Sequence, residues 1–343
     1  MSETSFNIIQ IHPTLTCNLK CRHCYSSSGP AMKGQIGYRA IADFLQYARP
    51  YGFNAVSVSG GEPFLYRDLG ELLIASRQLG YKNLSASNGM LLKTERGKKI
   101  LENIDLIAVS IDGDREFHDK VRNLQGAFDK MMAGIGVIQE KKIPFGFIHT
   151  ITENSWEKLI WLAEFAFSHG AILLQLHPLE LTGRAATEFN EMLPSQESLH
   201  KVFIISNYLE EKYAGRMKIQ LDFYHREFVV RSPRSVNFLG KDYKITTDNF
   251  AETVKSLIMD EEGNIYPMSY GFDHYYRIGN ICDIPKGNDI FKNFVEEKGE
   301  SLYGLIKNVF DKISLADHDM IKWTELIVHD SHFYSNPDLH TKG

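Results

Sequence analysis

The sequence predicts an α/β fold: an open, partial (β/α)6 barrel followed by a small α+β C-terminal extension. Three observations lead there. From residue 7 to about 178, short apolar runs alternate with helical patterns, the rhythm of βα units on a mainly parallel sheet. Polar and cysteine-bearing stretches follow the ends of those runs, at the sheet edge that carries ligands in such folds. The runs number six, short of the eight strands that close a barrel.

In order, the strand runs are NIIQIH (7–12), AVSVSG (55–60), NLSAS (83–87), LIAVSID (106–112), FGFIHT (145–150) and ILLQLH (172–177). Helical patterns lie between them near 37–51, 67–80, 93–103, 124–141 and 155–169. The last opens on Ser155, suited to capping, and closes on Gly170. After LTGRAATEFNEMLPSQ (181–196) the rhythm changes to a helix near 197–214, a strand-like KIQLDFY (218–224) and a polar stretch near 231–252. SLIMDEEGNIYPM (256–268) reads as a hairpin turning on Glu262-Gly263, with a helix near 301–313 beyond it. The expected division is a barrel core over 1–185, a connecting segment over 186–255 and the extension over 256–343. The tail NPDLHTKG is expected to fray.

Hydrophobic residues make up 43% and charged residues 24%, with a net charge of −5. The basic residues are dispersed, which argues against a nucleic-acid partner. No run approaches the roughly 18 apolar residues of a membrane span, and MSETSFNIIQ lacks the features of a signal peptide. The expectation is a cytoplasmic protein with no membrane association. Of four cysteines, three fall within eight positions, and such a cluster in a reducing compartment points to metal binding or catalysis.

Cys17, Cys21 and Cys24 form C-x3-C-x2-C in the loop after the first strand. A structural zinc site needs four closed ligands; the nearest additional ones are His12 and His23, and His23 lies awkwardly between two cysteines. Three thiolates also suit a four-iron cluster with one iron lacking a protein ligand. An open iron can bind a substrate or cosubstrate.

This motif, with His23 before its last cysteine, resembles the signature of the radical S-adenosylmethionine (SAM) superfamily. The resemblance implies a TIM-like partial barrel, one [4Fe-4S] cluster, SAM chelated to the unique iron, and a 5′-deoxyadenosyl radical that removes a hydrogen atom from substrate. Gly60-Gly61-Glu62-Pro63, after the second strand, resembles the family's motif for the SAM amino group: glycines admit close approach and the carboxylate accepts from an ammonium. SASNGMLL (85–92) and VSIDGDREFHDKVRNLQGAFD (109–129) resemble strand ends of the peptide- and protein-modifying subgroup. By that resemblance Ser110 and Asp112 face SAM, with Ser110 near the ribose, and Arg122 pairs with its carboxylate, for which a planar guanidinium is suited. Ser87 and Asn88 are weaker members of the set. His149, Thr150, Gln175 and His177 end strands five and six and are expected to line the cavity, with Leu176 against the adenine and Arg184 in contact with SAM or a substrate carboxylate. The resemblance covers roughly residues 7–185.

MDEEGNIYPMSYGF…YYRIGNICDIP (259–285) resembles the start of the auxiliary-cluster extension called SPASM, but Met268 stands at the first ligand position and no cysteine lies beyond Cys282. One cluster per chain is therefore expected, with His274 or Asp273 as the unusual ligands a second would need. Cys282 is read as a small buried core residue. The aromatic residues Tyr266, Tyr270, Phe272, Tyr275 and Tyr276 form either a peptide-binding wall or the core of the small domain.

Hydrogen abstraction leaves a radical whose fate requires a proton acceptor, a hydrogen donor or an electron sink. Asp222, Tyr224, His225 and Glu227, on a strand-like segment, are the catalytic candidates. The subgroup resembled most is that of maturases of ribosomally made peptides, including those that install carbon–carbon cross-links. It implies a precursor-peptide partner and an electron donor such as a flavodoxin or ferredoxin. Epimerisation or another peptide modification, rearrangement or dehydrogenation of a metabolite, and a non-catalytic metal-stabilised binding protein are the alternatives.

Overall fold

The computed structural model describes residues 6–334; the tail expected to fray lies outside the described residues. The six expected strands form as β1 (Ile8–Ile11), β2 (Ala55–Val58), β3 (Lys82–Ser87), β4 (Leu106–Ser110), β5 (Phe145–Ile151) and β6 (Leu173–Pro178), all parallel. Two later strands extend this sheet in parallel. β7 (Lys218–Leu221) pairs with β6, Gln175 opposite Gln220, while β9 (Ser256–Met259) pairs with the free side of β1, Ile8 opposite Ser256. β10 (Asn264–Pro267) returns antiparallel as the expected hairpin, and β11 (Gly279–Asn280) closes the edge.

The ten strands run β11-β10-β9-β1-β2-β3-β4-β5-β6-β7. Among the described residues no ladder joins β7 to β11, so the barrel is open. β8 (Tyr224–His225) pairs separately with β12 (Met320–Ile321). Hydrogen bonding thus runs continuously through residues expected to form the core, the connecting segment and the extension.

The crossovers carry α1 (Tyr38–Ala48), α2 (Leu69–Gln78), α3 (Glu95–Leu101), α4 (Arg115–Arg122), α5 (Ala127–Glu140) and α6 (Leu159–Ser168). The 124–141 pattern is therefore only α5. Its neighbour α4, unpredicted because REFHDKVR is mostly polar, starts where the Asp114 carboxylate accepts from Phe117 N and stops at Asn123 in the left-handed region. Ser155 does not cap α6; its hydroxyl accepts from Thr152 N at 2.8 Å, and a short 3-10 turn precedes the helix. Beyond β6 come α7 (Ala185–Glu188), α8 (Gln196–Lys212), α9 (Arg226–Arg231), α10 (Phe250–Val254), α11 (Ile290–Leu315) and α12 (Trp323–Tyr334). The expected 301–313 helix is the middle of α11.

Successive side chains on a strand point to opposite faces, and the registers sort them. Ile11, Val58, Val109, Phe147, Leu174 and Leu176 are fully buried in the main core. Gln10, Ser57, Ser110, Thr150, Gln175 and Gln220 occupy the other face, and all are partly exposed. The concave face is mixed, with Ile148 in register between Ser110 and Gln175 and Leu84 beside Ser57.

Candidate functional site

Cys17, Cys21 and Cys24 lie in the loop leaving β1, at the C-terminal edge of the parallel sheet. Backbone bonds fasten the loop's base: Cys17 N donates to Gly29 O and Gly29 N to Leu15 O, each at 3.2 Å. The loop after β2 docks on its entry, where Gly61 N reaches Thr14 O and Glu62 N reaches Thr16 O, both at 2.9 Å. Gly60 has φ +99°; a Cβ there would lie 2.7 Å from Thr14 O, and one on Gly61 would overlap Thr16 O. The glycines expected to admit a ligand are needed first for this loop-to-loop approach.

A third segment braces the loop from the other side. Arg184 N donates to Cys24 O at 2.9 Å, and its guanidinium spans Cys21 O (2.9 Å), Ser27 O (3.0 Å) and Ser28 O (2.6 Å). A Cβ on Gly183, with φ +55°, would overlap Tyr25 O. Arg184 was expected to meet SAM or a substrate carboxylate; it holds cysteine-loop carbonyls instead.

Glu62 is 1% exposed. Its carboxylate accepts from Ser87 Oγ (2.8 Å), Asn88 N (2.9 Å) and Phe64 N (3.2 Å), so Ser87 and Asn88 position it, and Pro63 opens the 3-10 turn that supplies Phe64. Burial pushes Glu62 up from the ordinary carboxylate range, against the pull of those donors. Asn88 also donates to Asn18 Oδ1 at 2.8 Å, within the cysteine loop.

Asp112, also buried, grips Arg122 in a two-pronged pair, Nε–Oδ2 at 2.6 Å and Nη2–Oδ1 at 3.1 Å. His23 Nε2 meets Asp112 Oδ1 at 2.9 Å and His118 Nδ1 lies 3.4 Å from Oδ2. Burial pushes Asp112 up, but Arg122, His23 and His118 outweigh it and hold the carboxyl well below its usual range. Arg122 Nη1 lies 3.8 Å from Cys21 Sγ. Its two-pronged edge is therefore occupied by Asp112, a correction to the bidentate grip on the SAM carboxylate.

The concave face holds Ser110, Gln175 and Thr150, with His177 one row above Gln175 and paired with Asp222. Leu176 and His149 do not join them. They oppose each other in register on the other face, Leu176 fully buried in the core and His149 bonded through its ring nitrogens to Ile111 O and Ser155 Oγ. Of the other expected catalytic residues, Tyr224 stays within reach of the Asp222 charge, whereas His225 and Glu227 are engaged by local partners. Tyr224 stacks on Phe228, His225 Nδ1 accepts from Glu227 N to cap α9, and exposed Glu227 pairs with Arg231. In the extension, His274 Nδ1 bonds the Tyr266 hydroxyl (2.7 Å) and Asp273 bonds Tyr275 N and His332. Cys282 is exposed in a 3-10 turn capped by Asn280, a correction to its reading as core.

The sequence reading missed a stack of His12, Tyr25 and Tyr270. The His12 ring lies 4.9 Å from that of Tyr270, and Tyr25 packs edge-on to Tyr270 at 5.5 Å. Burial lowers His12 to about 4 and lifts Tyr25 to about 12. Tyr25 directly follows Cys24, which was the available signal; its meeting with Tyr270 is long-range and left none.

These donors fit an iron–sulfur cluster with SAM. Leu19 N donates to Cys17 Sγ at 3.4 Å, Ser26 Oγ lies 3.6 Å from Cys24 Sγ and Arg122 faces Cys21, the kind of contacts that stabilise cluster-bound thiolates. Burial raises the thiols, Cys17 to about 12 and Cys21 also, so deprotonation calls for a positive partner such as iron. Glu62, held by neutral donors, could take an ammonium group. Among the described residues no three His, Cys, Asp or Glu side chains are grouped as ligands of one metal ion, and thiolates of a cluster each hold a different iron.

Comparison with known proteins agrees. Residues 11–166 match the family model of the radical SAM superfamily. The chain is 31% identical over 198 residues to the Fe-coproporphyrin III synthase of Methanosarcina barkeri, covering 56% of this chain and 49% of that protein. It is 31% identical over 185 residues to the AdoMet-dependent heme synthase of the same organism (53% of each), and 29% identical over 202 residues to a probable GTP 3′,8-cyclase of Saccharolobus islandicus (57% and 65%). The chain thus spans about half the length of the first two relatives. Streptococcus suis SuiB bound to S-adenosylmethionine superposes with a TM-score of 0.65 at 17% identity, covering 89% of this chain and 68% of SuiB. Native anSMEcpe with bound AdoMet gives 0.62 at 19% identity, covering 97% and 98%. At these identities the structural likeness is one of fold. No helix among the described residues is long and apolar enough to cross a membrane.

Proposed function

We propose, from the match of residues 11–166 to the radical SAM superfamily, that the chain is an enzyme that cleaves SAM reductively and takes a hydrogen atom from a ribosomally made precursor peptide, leading to a carbon–carbon cross-link between side chains. The observation that carries the chemistry is the three-cysteine loop locked against buried Glu62 and the Asp112–Arg122 pair. When bound, the cluster and SAM supply the 5′-deoxyadenosyl radical on one-electron reduction. The chain's own residues do the holding: Cys17, Cys21 and Cys24 bind iron, Glu62 takes the SAM ammonium, and Ser110 and Gln175 offer polar contacts from the concave face.

The peptide substrate is supported by the extension. Its D-x-x-G-x-x-Y-P hairpin continues the barrel sheet through β9, β10 and β11, as the SPASM resemblance implies, with Met268 in place of a ligand cysteine. A second reading, a metabolite substrate, is favoured by the curated relatives, whose names specify synthesis of Fe-coproporphyrin III or heme and cyclisation of GTP.

Anaerobic reconstitution tests the reading. Wild type should bind about four irons per chain and release 5′-deoxyadenosine, and the triple Cys17, Cys21 and Cys24 to Ala variant should do neither. Glu62→Gln should weaken SAM binding about 10- to 100-fold, the loss of a charge-assisted hydrogen bond. Peptides from short reading frames beside the gene are then screened. A mass lower by two hydrogens marks a cross-link, and solvent deuterium gained at one residue marks epimerisation. Turnover of a metabolite alone would favour the second reading, and zinc in place of iron would overturn the first.

A further inference from the structure

His177 ends β6 on the concave face, in register with Thr150 of β5. Asp222 follows β7, its N–H continuing the ladder to Leu176 O at 3.1 Å. The Asp222 carboxylate pairs through Oδ2 with His177 Nδ1, and its Oδ1 accepts from Gln220 Nε2 at 3.1 Å. The imidazole is thus aligned by a carboxylate that is itself fixed from its own strand. Among the described residues Nε2 has no hydrogen-bond partner, and the His177 and Asp222 side chains remain 40% and 25% exposed. A carboxylate at Nδ1 places the neutral ring's proton there and leaves the Nε2 lone pair outward. The strands are parallel, so this nitrogen stands on the same sheet edge as the cysteine loop.

We infer that His177 is a catalytic base acting on the substrate, and that Asp222 is its positioning residue. The inference rests on the peptide chemistry proposed above. His177 Nε2 takes a proton from the reacting group of the peptide after hydrogen-atom abstraction. One N–H bond forms as one substrate bond to hydrogen breaks, the electron pair stays on the substrate, and the imidazolium charge faces Asp222. No electron enters or leaves the protein in this step; the deprotonated radical still carries one electron more than the cross-linked product and gives it up separately to a one-electron acceptor of the flavodoxin or ferredoxin class.

The surroundings suit the role. Glu180 from the loop after β6 and Tyr224 beyond β7 are the other ionisable groups coupled to the pair, while Lys322, just before α12, and Glu325, in its first turn, act on Glu180. Burial disfavours a charged imidazole, but Asp222 and then Glu180 outweigh it and hold His177 above its ordinary range. A base works deprotonated, so product formation should rise with pH through that raised pKa. Removing the Asp222 charge should move the limb to lower pH.

The test uses reconstituted holoenzyme with SAM, comparing wild type, His177→Gln and Asp222→Asn. Nitrogen-15 NMR of labelled histidine should show His177 protonated at Nδ1 in its neutral form, with a pKa that falls in Asp222→Asn. A neutral ring protonated at Nε2, or an unmoved pKa, overturns the inference. With a peptide turned over by wild type, His177→Gln should release 5′-deoxyadenosine within about twofold of wild type while product per 5′-deoxyadenosine falls at least about 100-fold. Unchanged product, or lost 5′-deoxyadenosine in both variants, also overturns it. If wild type cleaves SAM yet turns over no peptide, the peptide reading and the catalytic role that rests on it fail, while the NMR result still decides the pairing.

Discussion

The cysteine loop and the β6–β7 corner share one edge of one sheet, yet they are held in different ways. The loop is gripped from three sides, by its own base, by Gly60–Glu62 and by Gly183–Arg184, largely through bonds to its backbone. Most of the polar side chains against it, including Glu62, Asp112 and Arg122, are buried. The corner presents His177 and Asp222 as partly exposed side chains joined to each other. A site that must hold a cofactor needs backbone fixed before it arrives, whereas one that meets a changing substrate needs accessible side chains on a rigid strand.

The largest effect that could break this contrast is Gly61→Ala. A Cβ overlapping the Thr16 carbonyl forces two backbones apart, at an expected cost above about 3 kcal/mol, read by urea unfolding and soluble yield. A fully stable Gly61→Ala protein would show the loop to be loosely held. Next comes acid. His12 is buried with its pKa lowered from 6.5 to about 4, so the unfolded chain takes up this proton first as pH falls. Stability should drop by about 3 kcal/mol between pH 6.5 and 4 and then level off for this group, a slope that His12→Gln removes in unfolding measured across pH.

Arg184→Ala removes three charge-assisted bonds to loop carbonyls and should cost about 2 kcal/mol. It should also hasten iron loss to a chelator, with thermal unfolding as the companion measurement. The smallest effect belongs to the far side of the corner. Glu227→Ala should change stability by no more than about 0.5 kcal/mol and leave 5′-deoxyadenosine release unaltered; a large fall would return Glu227 to the site.

The contrast also marks what could be read in advance. Alternating runs disclosed six strands because a buried parallel sheet needs a dense aliphatic row on its helix-covered face, and the cysteines and Glu62 were legible because their spacing is local. The pairing of β9 with β1 joins Ile8 to Ser256 and has no local trace. Arg184 and Arg122 were given to SAM because a guanidinium invites an anionic partner, but loop carbonyls and Asp112 claim them. Leu176 was misplaced for a simpler reason: it alternates with Gln175 and His177, and two-residue periodicity sends it to the core.

The β1–β9 pairing also bears on synthesis. Until residues 256–259 leave the ribosome, β1 can pair only with β2 and keeps one side unpaired, while the cysteine loop hangs from its end. At about 5–20 residues per second, roughly ten seconds or more separate the making of β1 from that of its second partner. Iron loading in that interval would meet a loop whose supporting strand is still a sheet edge, open to wrong pairing with other chains. Completion of β9 is the point at which the metal-binding loop gains its final scaffold.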